Sequence, residues 1–329
     1  MEELGWKMVR NCGGLPLAIV VLGGILVTKH TAREWEMVHG NINSYMSKGI
    51  GVGQQHRGVS QVLALSYDDL PYELKRCFLY LGSFPEDSQI NLEKLYQLWM
   101  AEDLVLLDDV GGEDTIMDVG ERYLSELAQR YTVQLGVQEE DFSFGRFQNC
   151  SLHDRMREVC LSKNKEENFL NVFDFGKRKG TKPLDSSCSS SSSNAKVRRI
   201  VIHLGNEEDY KDDPRELVSN FEHVTTQGHL RSVLIFGDDR LIMDSHFKYL
   251  KVLTVLHLEG VKLVGFPKAV GKLIHLRYLN LRNCELQGKL SSSIGNLRCL
   301  QTLDLRDNYA NLIIPNVLWK IKKLNTSIS

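Results

Sequence analysis

The 329-residue sequence contains no Gly-x-x-x-x-Gly-Lys-Ser/Thr loop and no Asp-rich strand suited to Mg²⁺. That loop supplies the backbone N–H groups and the lysine that cradle nucleotide phosphates, so the chain alone is not expected to hydrolyse ATP. No CxxC pair occurs, and the seven cysteines are odd in number and scattered from Cys12 to Cys299. This argues against a zinc site or a disulfide framework and fits reduced thiols in an intracellular, cytoplasmic protein. No apolar run reaches the ~18 residues of a spanning helix. The start, Met1-Glu2-Glu3-Leu4, lacks the basic region and apolar core of a secretory signal. Lys and Arg number 40 against 42 Asp and Glu, a formal charge of −2, which gives no general drive toward nucleic acid or anionic membrane. No nucleophile–base set or metal-ligand cluster stands out. His153 and Asp154 are adjacent, and adjacent helical residues do not face each other.

What is present suffices for two or three cored domains, with 42% of residues hydrophobic. Leu4, Met8 and Cys12 share one face of a helix over 2–12, which Gly13-Gly14 ends. Leu15-Pro16 opens a very apolar helix, Leu17 to Val27. Pro suits a first turn because it has no N–H to leave unpaired. So apolar a helix must pack inside something, and its partners are expected to lie outside the chain. Residues 47–58, rich in Gly and polar side chains, read as a loop.

Residues 59–165 read as one domain. Val59–Tyr67 is a short helix, Pro71 starts another, and Asn91 caps a third carrying Leu92, Leu95, Leu98 and Trp99. A further stripe is Ile116, Val119, Tyr123, Leu124 and Leu127, and alternation at Val133/Leu135/Val137 and Phe142/Phe144 predicts a hairpin tipped by Glu139-Glu140-Asp141. Helices around a short hairpin make a winged helix. DNA reading would need cations on its third helix, which instead carries Glu93, Glu102 and Asp103 beside Lys94; acid there repels phosphate, and no nucleic-acid partner is expected. Leu152, Met156, Val159 and Cys160 form the stripe of a last helix. His153 and Asp154 stand at its start, where unpaired N–H groups and the helix dipole favour an anion. Asp154 suits that end as a cap or first-turn acid.

Residues 176–195, with Lys177-Arg178-Lys179 and the run Ser186–Ser193 broken only by Cys188, read as a linker; the basic run is a candidate for contact with acidic lipid or a partner, hence for peripheral membrane association. Beyond it a pattern repeats: Leu230-x-x-Val233-x-Ile235, Leu253-x-x-Leu256-x-Leu258, Leu276-x-x-Leu279-x-Leu281 and Leu300-x-x-Leu303-x-Leu305. A period of 23 or 24 residues in one register, with Asn283 or Asn308 near its expected place, marks leucine-rich repeats over 196–329. Val197–Ile202 is a candidate strand covering the first repeat. The exposed positions between the leucines, Arg277, Tyr278, Asn280, Gln301, Thr302 and Asp304, are candidates for partner contact. The expected fold is mixed α and α/β: a helical segment over 1–46, a winged helix, and a short leucine-rich-repeat solenoid.

Four segments in order now resemble one family. Cys12-Gly13-Gly14-Leu15-Pro16-Leu17-Ala18, Cys77 to Asp87, Leu98-Trp99-Met100-Ala101-Glu102 and Leu152-His153-Asp154 resemble the GLPL, winged-helix and MHD motifs of plant nucleotide-binding leucine-rich-repeat immune receptors of the coiled-coil class. The resemblance implies a disease resistance receptor: an ADP/ATP switch with repeats that sense a pathogen effector or a guarded host protein, contacts to N-terminal domains, homo-oligomerisation when active, and defence signalling. It implies that His153 approaches the β-phosphate and that Pro16 packs near adenine, with Leu15 and Asp154 in switch or structural roles. It implies no catalytic or metal-binding residue here. Two departures stand out: the absent phosphate loop and the array of about four repeats, which together suggest that the chain starts inside the switch module and stops early. A smaller one is Asp103, where the family has Gly and a left-handed residue is expected. The readings left open are a standalone repeat interaction protein with a vestigial nucleotide region and, with less support, a winged-helix transcription factor.

Overall fold

The computed structural model describes residues 1–48, 54–105, 115–136, 147–174, 198–204, 229–237, 244–263 and 265–324. The chain divides into two compact units, Met1–Met100 with Leu104–Glu166, and Ala101–Asp103 with Glu167–Ser329.

The first unit opens with α1 (Glu2–Asn11), α2 (Pro16–Val27), α3 (Ala32–Lys48) and α4 (Gln54–Asp68). Met8, Ala18, Leu22, Ile25, Val38, Ile42, Val62 and Leu65 share one core. The expectation that α2 finds its partners outside this chain is therefore corrected for its inner face. The amphipathic helices α1, α3 and α4 each turn an apolar face toward it. Besides Pro16 at its start, Ile19, Val20 and Val27 on its outer side are exposed. The expected loop over 47–58 is also corrected, because α4 already begins at Gln54. Once Val59–Tyr67 is helical, each residue added upstream gains a backbone hydrogen bond without a new nucleation cost.

The rest of this unit is the winged helix: α5 (Tyr72–Leu81), α6 (Leu92–Ala101), α7 (Ile116–Gln129) and α8 (Asp154–Glu167), with β1 (Ile90–Asn91), β2 (Gln134–Gly136) and β3 (Asn149–Ser151). The strands pair antiparallel in the order β1-β3-β2. Local chemistry sets the helix starts. Asn91 Oδ1 accepts from the Lys94 N–H at 3.0 Å, and Thr115 with Asp118 closes a capping box on α7. At the end of α6, Asp103 takes a φ of +53°, the left-handed backbone expected there, and the Leu104 N–H returns to Trp99 O at 2.9 Å. The described partner of β2 is Asn149–Ser151. The expected strand at Phe142/Phe144, Val137 and the acidic tip fall outside the described residues.

The second unit holds a parallel sheet in sequence order: β4 (Asn171–Asp174), β5 (Arg199–His203), β6 (Ser232–Phe236), β7 (Val255–His257), β8 (Tyr278–Asn280) and β9 (Thr302–Asp304). Short 3-10 turns at Asp244–Tyr249, Lys268–Lys272, Ser292–Asn296 and Leu318–Lys320 follow β6 to β9 in turn. Leucines of strands and turns fill one continuous core. The sheet starts earlier than the sequence suggests. β4 pairs with β5 from upstream of the Ser-rich stretch, which itself falls outside the described residues. A four-residue strand with a non-local partner carries no periodic signal of its own. The polar ladder position is also corrected: Asn283 is an exposed residue with a φ of +52°, and Cys284 occupies the internal position equivalent to Asn308. Asn308 donates to Leu281 O at 2.8 Å and Leu305 O at 2.7 Å, and accepts from the Cys284 and Leu286 N–H groups. Cys284 Sγ donates to Leu258 O at 2.9 Å.

Candidate functional site

Pro16 and His153 each stand at a helix start in the first unit. Gly13 and Gly14, at φ +58° and +78°, turn the chain so that Leu15 becomes the N-cap of α2 and Pro16 its first residue. Leu15 is half-buried against the helical core while Pro16 is exposed. Among the described residues no hydrogen bond or ion pair joins this turn to the start of α8.

At α8 the imidazole does the capping. His153 Nδ1 accepts from the Arg155 N–H at 3.2 Å, and His153 O accepts from the Arg157 N–H at 2.9 Å. Asp154 is exposed and is the first-turn acid, which favours the helix dipole by about 0.3–1 kcal/mol. An accepting Nδ1 places the proton of the neutral ring on Nε2. The exposed His153 thus offers one N–H donor beside a helix start, a combination suited to one oxyanion.

Interior bonds hold this helix start in place. Arg157 donates to Phe84 O at 3.2 Å, Cys160 Sγ to Phe78 O at 3.3 Å and Asn164 Nδ2 to Leu79 O at 2.8 Å. These acceptors belong to the end of α5 and the turn after it, where carbonyls lack helical partners. Gly82 allows the approach, since a Cβ there would lie 2.9 Å from both Asn164 Nδ2 and Cys160 Sγ. Burial pushes the Cys160 thiol up to about 12, so this is a structural thiol and not a nucleophile. Sequence reasoning missed Arg157 and Asn164; polar residues on the buried side of the stripe were the available signal. It also missed the joint between the helical segment and the winged helix. Asp69, just past α4, pairs with Lys29 at 2.7 Å and with Arg130 at 3.1 Å. On α2, a Cβ at Gly24 would lie 2.7 Å from Arg130 O.

The repeat face differs from expectation. Arg277 and Gln301 are half-exposed, but Tyr278, Asn280, Thr302 and Asp304 are buried. Parallel register stacks Val255, Tyr278 and Thr302 in one row and Leu234, His257, Asn280 and Asp304 in the next. Strands ~4.8 Å apart make each side chain cover its neighbours. Rings continue the cover, with Phe236 to His257 centroids at 4.7 Å and His257 to Tyr278 at 6.2 Å. Burial raises the Tyr278 phenol above its ordinary pKa. Glu102, grouped with this unit, is buried as well: it takes Arg199 Nε at 2.8 Å and the Ser232 hydroxyl. Asp103 pairs with Arg277. The Glu102 carboxylate is therefore internal, not the exposed acid that the sequence suggested.

The family profile described as Disease resistance protein Winged helix domain matches residues 84–160, from the turn after α5 into α8, and one described as Leucine-rich repeat region matches 229–326. Probable disease resistance RPP8-like protein 2 of Arabidopsis thaliana is 40% identical over 98% of this chain and 34% of its own length. This chain belongs to the plant disease resistance proteins. RPP8-like protein 4 of the same plant is 38% identical over 98% of the chain and 33% of that protein. Disease susceptibility protein LOV1, also of Arabidopsis thaliana, is 40% identical over 85% and 29%. The disease resistance chain thus spans about a third of the length of the curated relatives it matches. A solved leucine-rich-repeat ectodomain of the Arabidopsis thaliana receptor kinase GASSHO1/SCHENGEN3 matches at 23% identity and TM-score 0.26, over 39% of this chain and 14% of that one; at that score the likeness carries no argument.

Proposed function

We propose that this chain serves in a cytoplasmic plant immune receptor, where its first unit contributes to an ADP/ATP switch and its repeats receive a pathogen effector or a guarded host protein. The observation that carries the reading is the start of α8. There His153 caps the helix through Nδ1 and keeps an exposed Nε2–H for one phosphate oxygen. Pro16, exposed at the start of α2, offers an apolar ring to a base. A bound ADP would supply the negative charge that this donor and helix start favour. The phosphate loop and Mg²⁺ ligand are not in this sequence. A contact made only with ADP biases one of two states, which is how nucleotide exchange would free the winged helix for oligomerisation and signalling.

The test grafts the chain in place of the matching segment of RPP8-like protein 2 and measures nucleotide released from the purified chimera. His153→Ala removes both cap and donor; His153→Asn keeps a good cap acceptor and removes the ring donor. Both are expected to retain ADP roughly 10- to 100-fold less tightly, the value of a hydrogen bond to a charged group. Only the Ala variant should fray α8 in hydrogen exchange. An Asn variant that holds ADP like the parent would reduce His153 to a helix cap.

A further inference from the structure

We infer that the outer, 3-10 side of the repeat stack is a docking surface for an anionic phospholipid bilayer. Each repeat buries one apolar residue at the end of its 3-10 turn: Leu250, Leu273, Leu297 and Ile321. The residues just before it are Tyr249, Lys272, Asn296 and Lys320, and those just after are Lys251, Ile274, Arg298 and Lys322. All eight are exposed. Because the repeats hold one register, these positions form two adjacent columns along the stack.

The charge on this side is predominantly positive. Residues 244–253, 267–276, 291–300 and 315–324, equivalent windows of ten, hold eight Lys and Arg and a single acid, Asp244. Among the described residues none of these cations is in an ion pair. Asp244 opens the first 3-10 turn, and the other four acids of the repeats, Glu259, Glu285, Asp304 and Asp307, sit on the strands and the turns after them. Asp304 and Asp307 there are already matched by Arg306 and Arg282. Residues 244–329 carry thirteen Lys and Arg against five Asp and Glu, a balance of +8 inside a chain whose total is −2. The near-neutral total hides a strongly basic ridge.

Apolar side chains interleave with the cations. Tyr249 and Ile274 are each 54% exposed and Trp319 is 72% exposed, with the Lys320 ammonium 5.7 Å from the Trp319 ring centroid. Cations meet lipid phosphates while Tyr and Trp occupy the headgroup boundary and aliphatic tips enter the acyl region. A nucleic acid would use the cations and rings but has no use for an exposed Ile274, which favours the bilayer. Each cation near such a surface is worth about fivefold in affinity.

Co-sedimentation of the full chain with vesicles tests this, using phosphatidylcholine alone or with about 30% phosphatidylserine, an anionic surface of the physiological kind. Binding is expected only with phosphatidylserine, and weaker at high salt because the screening length shortens. Combined Lys251→Gln, Lys272→Gln and Arg298→Gln should weaken it about 100-fold, at ~fivefold per cation. Combined Lys7→Gln, Arg33→Gln and Lys165→Gln, an equal change of charge in the first unit and outside the ridge, should leave it within about twofold. Ile274→Gln, at an exposed site that leaves the fold intact, should weaken vesicle binding without altering any binding to single-stranded RNA. Equal losses in the two triple variants, no preference for phosphatidylserine, or RNA binding that depends on the ridge while vesicles are ignored would each overturn the proposal.

Discussion

Gly23 and Gly24 are neighbours on α2, yet their replacement by alanine should have opposite effects. A Cβ at Gly23 meets nothing within 4 Å. Gly23→Ala therefore gains only what alanine gains in a helix, about 0.5–1 kcal/mol of stability. A Cβ at Gly24 would lie 2.7, 2.8 and 2.9 Å from the O, C and Cα atoms of Arg130. Carbon contacts become favourable near 3.5–4.0 Å, so α2 or the end of α7 must move by much of an ångström. Arg130 cannot yield freely, because its guanidinium holds Asp69 at 3.1 Å and Glu126 at 3.1 Å. Overpacking of this kind costs about 1–3 kcal/mol, which outweighs the helix gain. Gly24→Ala should be destabilising by about 1–2 kcal/mol, leaving a gap of roughly 2 kcal/mol between identical substitutions one residue apart. Urea titrations read by hydrogen exchange of peptides from α2 and α7 confine the measurement to the first unit. If both variants stabilise, α2 does not approach the Arg130 backbone as described and the joint is wrongly built.

Asp69→Asn removes the carboxylate shared by Lys29 and Arg130, whose side chains are 22% and 11% exposed; with partial solvent screening the cost should be about 1–3 kcal/mol in the same titration, and a shift below about 0.5 kcal/mol would make the joint passive. Asn308→Ala leaves Leu281 O, Leu305 O and the Cys284 and Leu286 N–H groups without their side-chain partner, at about 3 kcal/mol, whereas Cys284→Asn at the equivalent position should stay within about 1 kcal/mol in thermal melting. Asp304 is held below the ordinary carboxylate pKa: burial raises it, but the hydrogen bonds and charge of Arg306, with the charge of Arg282, together lower it further. Its stabilisation is therefore complete above the unfolded value near 4 and disappears as pH falls through the lower folded value. Acid titration of the repeats should show that loss, and Asp304→Asn should flatten it; an unchanged acid limb would remove Asp304 as its source.

The sequence alone determined the elements whose signals are periodic or local. Four repeats in one register placed the β6–β9 strands, and apolar stripes with Pro71, Asn91 and Pro16 placed α2, α5 and α6. The motif at 152–154 put His153 at a helix start, where the structure also has it. Only the tertiary structure decided which atom does what there. The cap is an imidazole nitrogen, and the helix it caps is anchored by Arg157, Cys160 and Asn164 to carbonyls some 73 to 85 residues away in sequence. Single-sequence periodicity reports which face of an element is apolar, not what covers it. For that reason it could not supply partners for α2 within the chain, find β4, or see that parallel register would bury Tyr278 and Asn280. Charge followed the same rule: the composition determined a total near zero, and the stacking of 3-10 turns on one side of the repeats sorted the cations into a ridge.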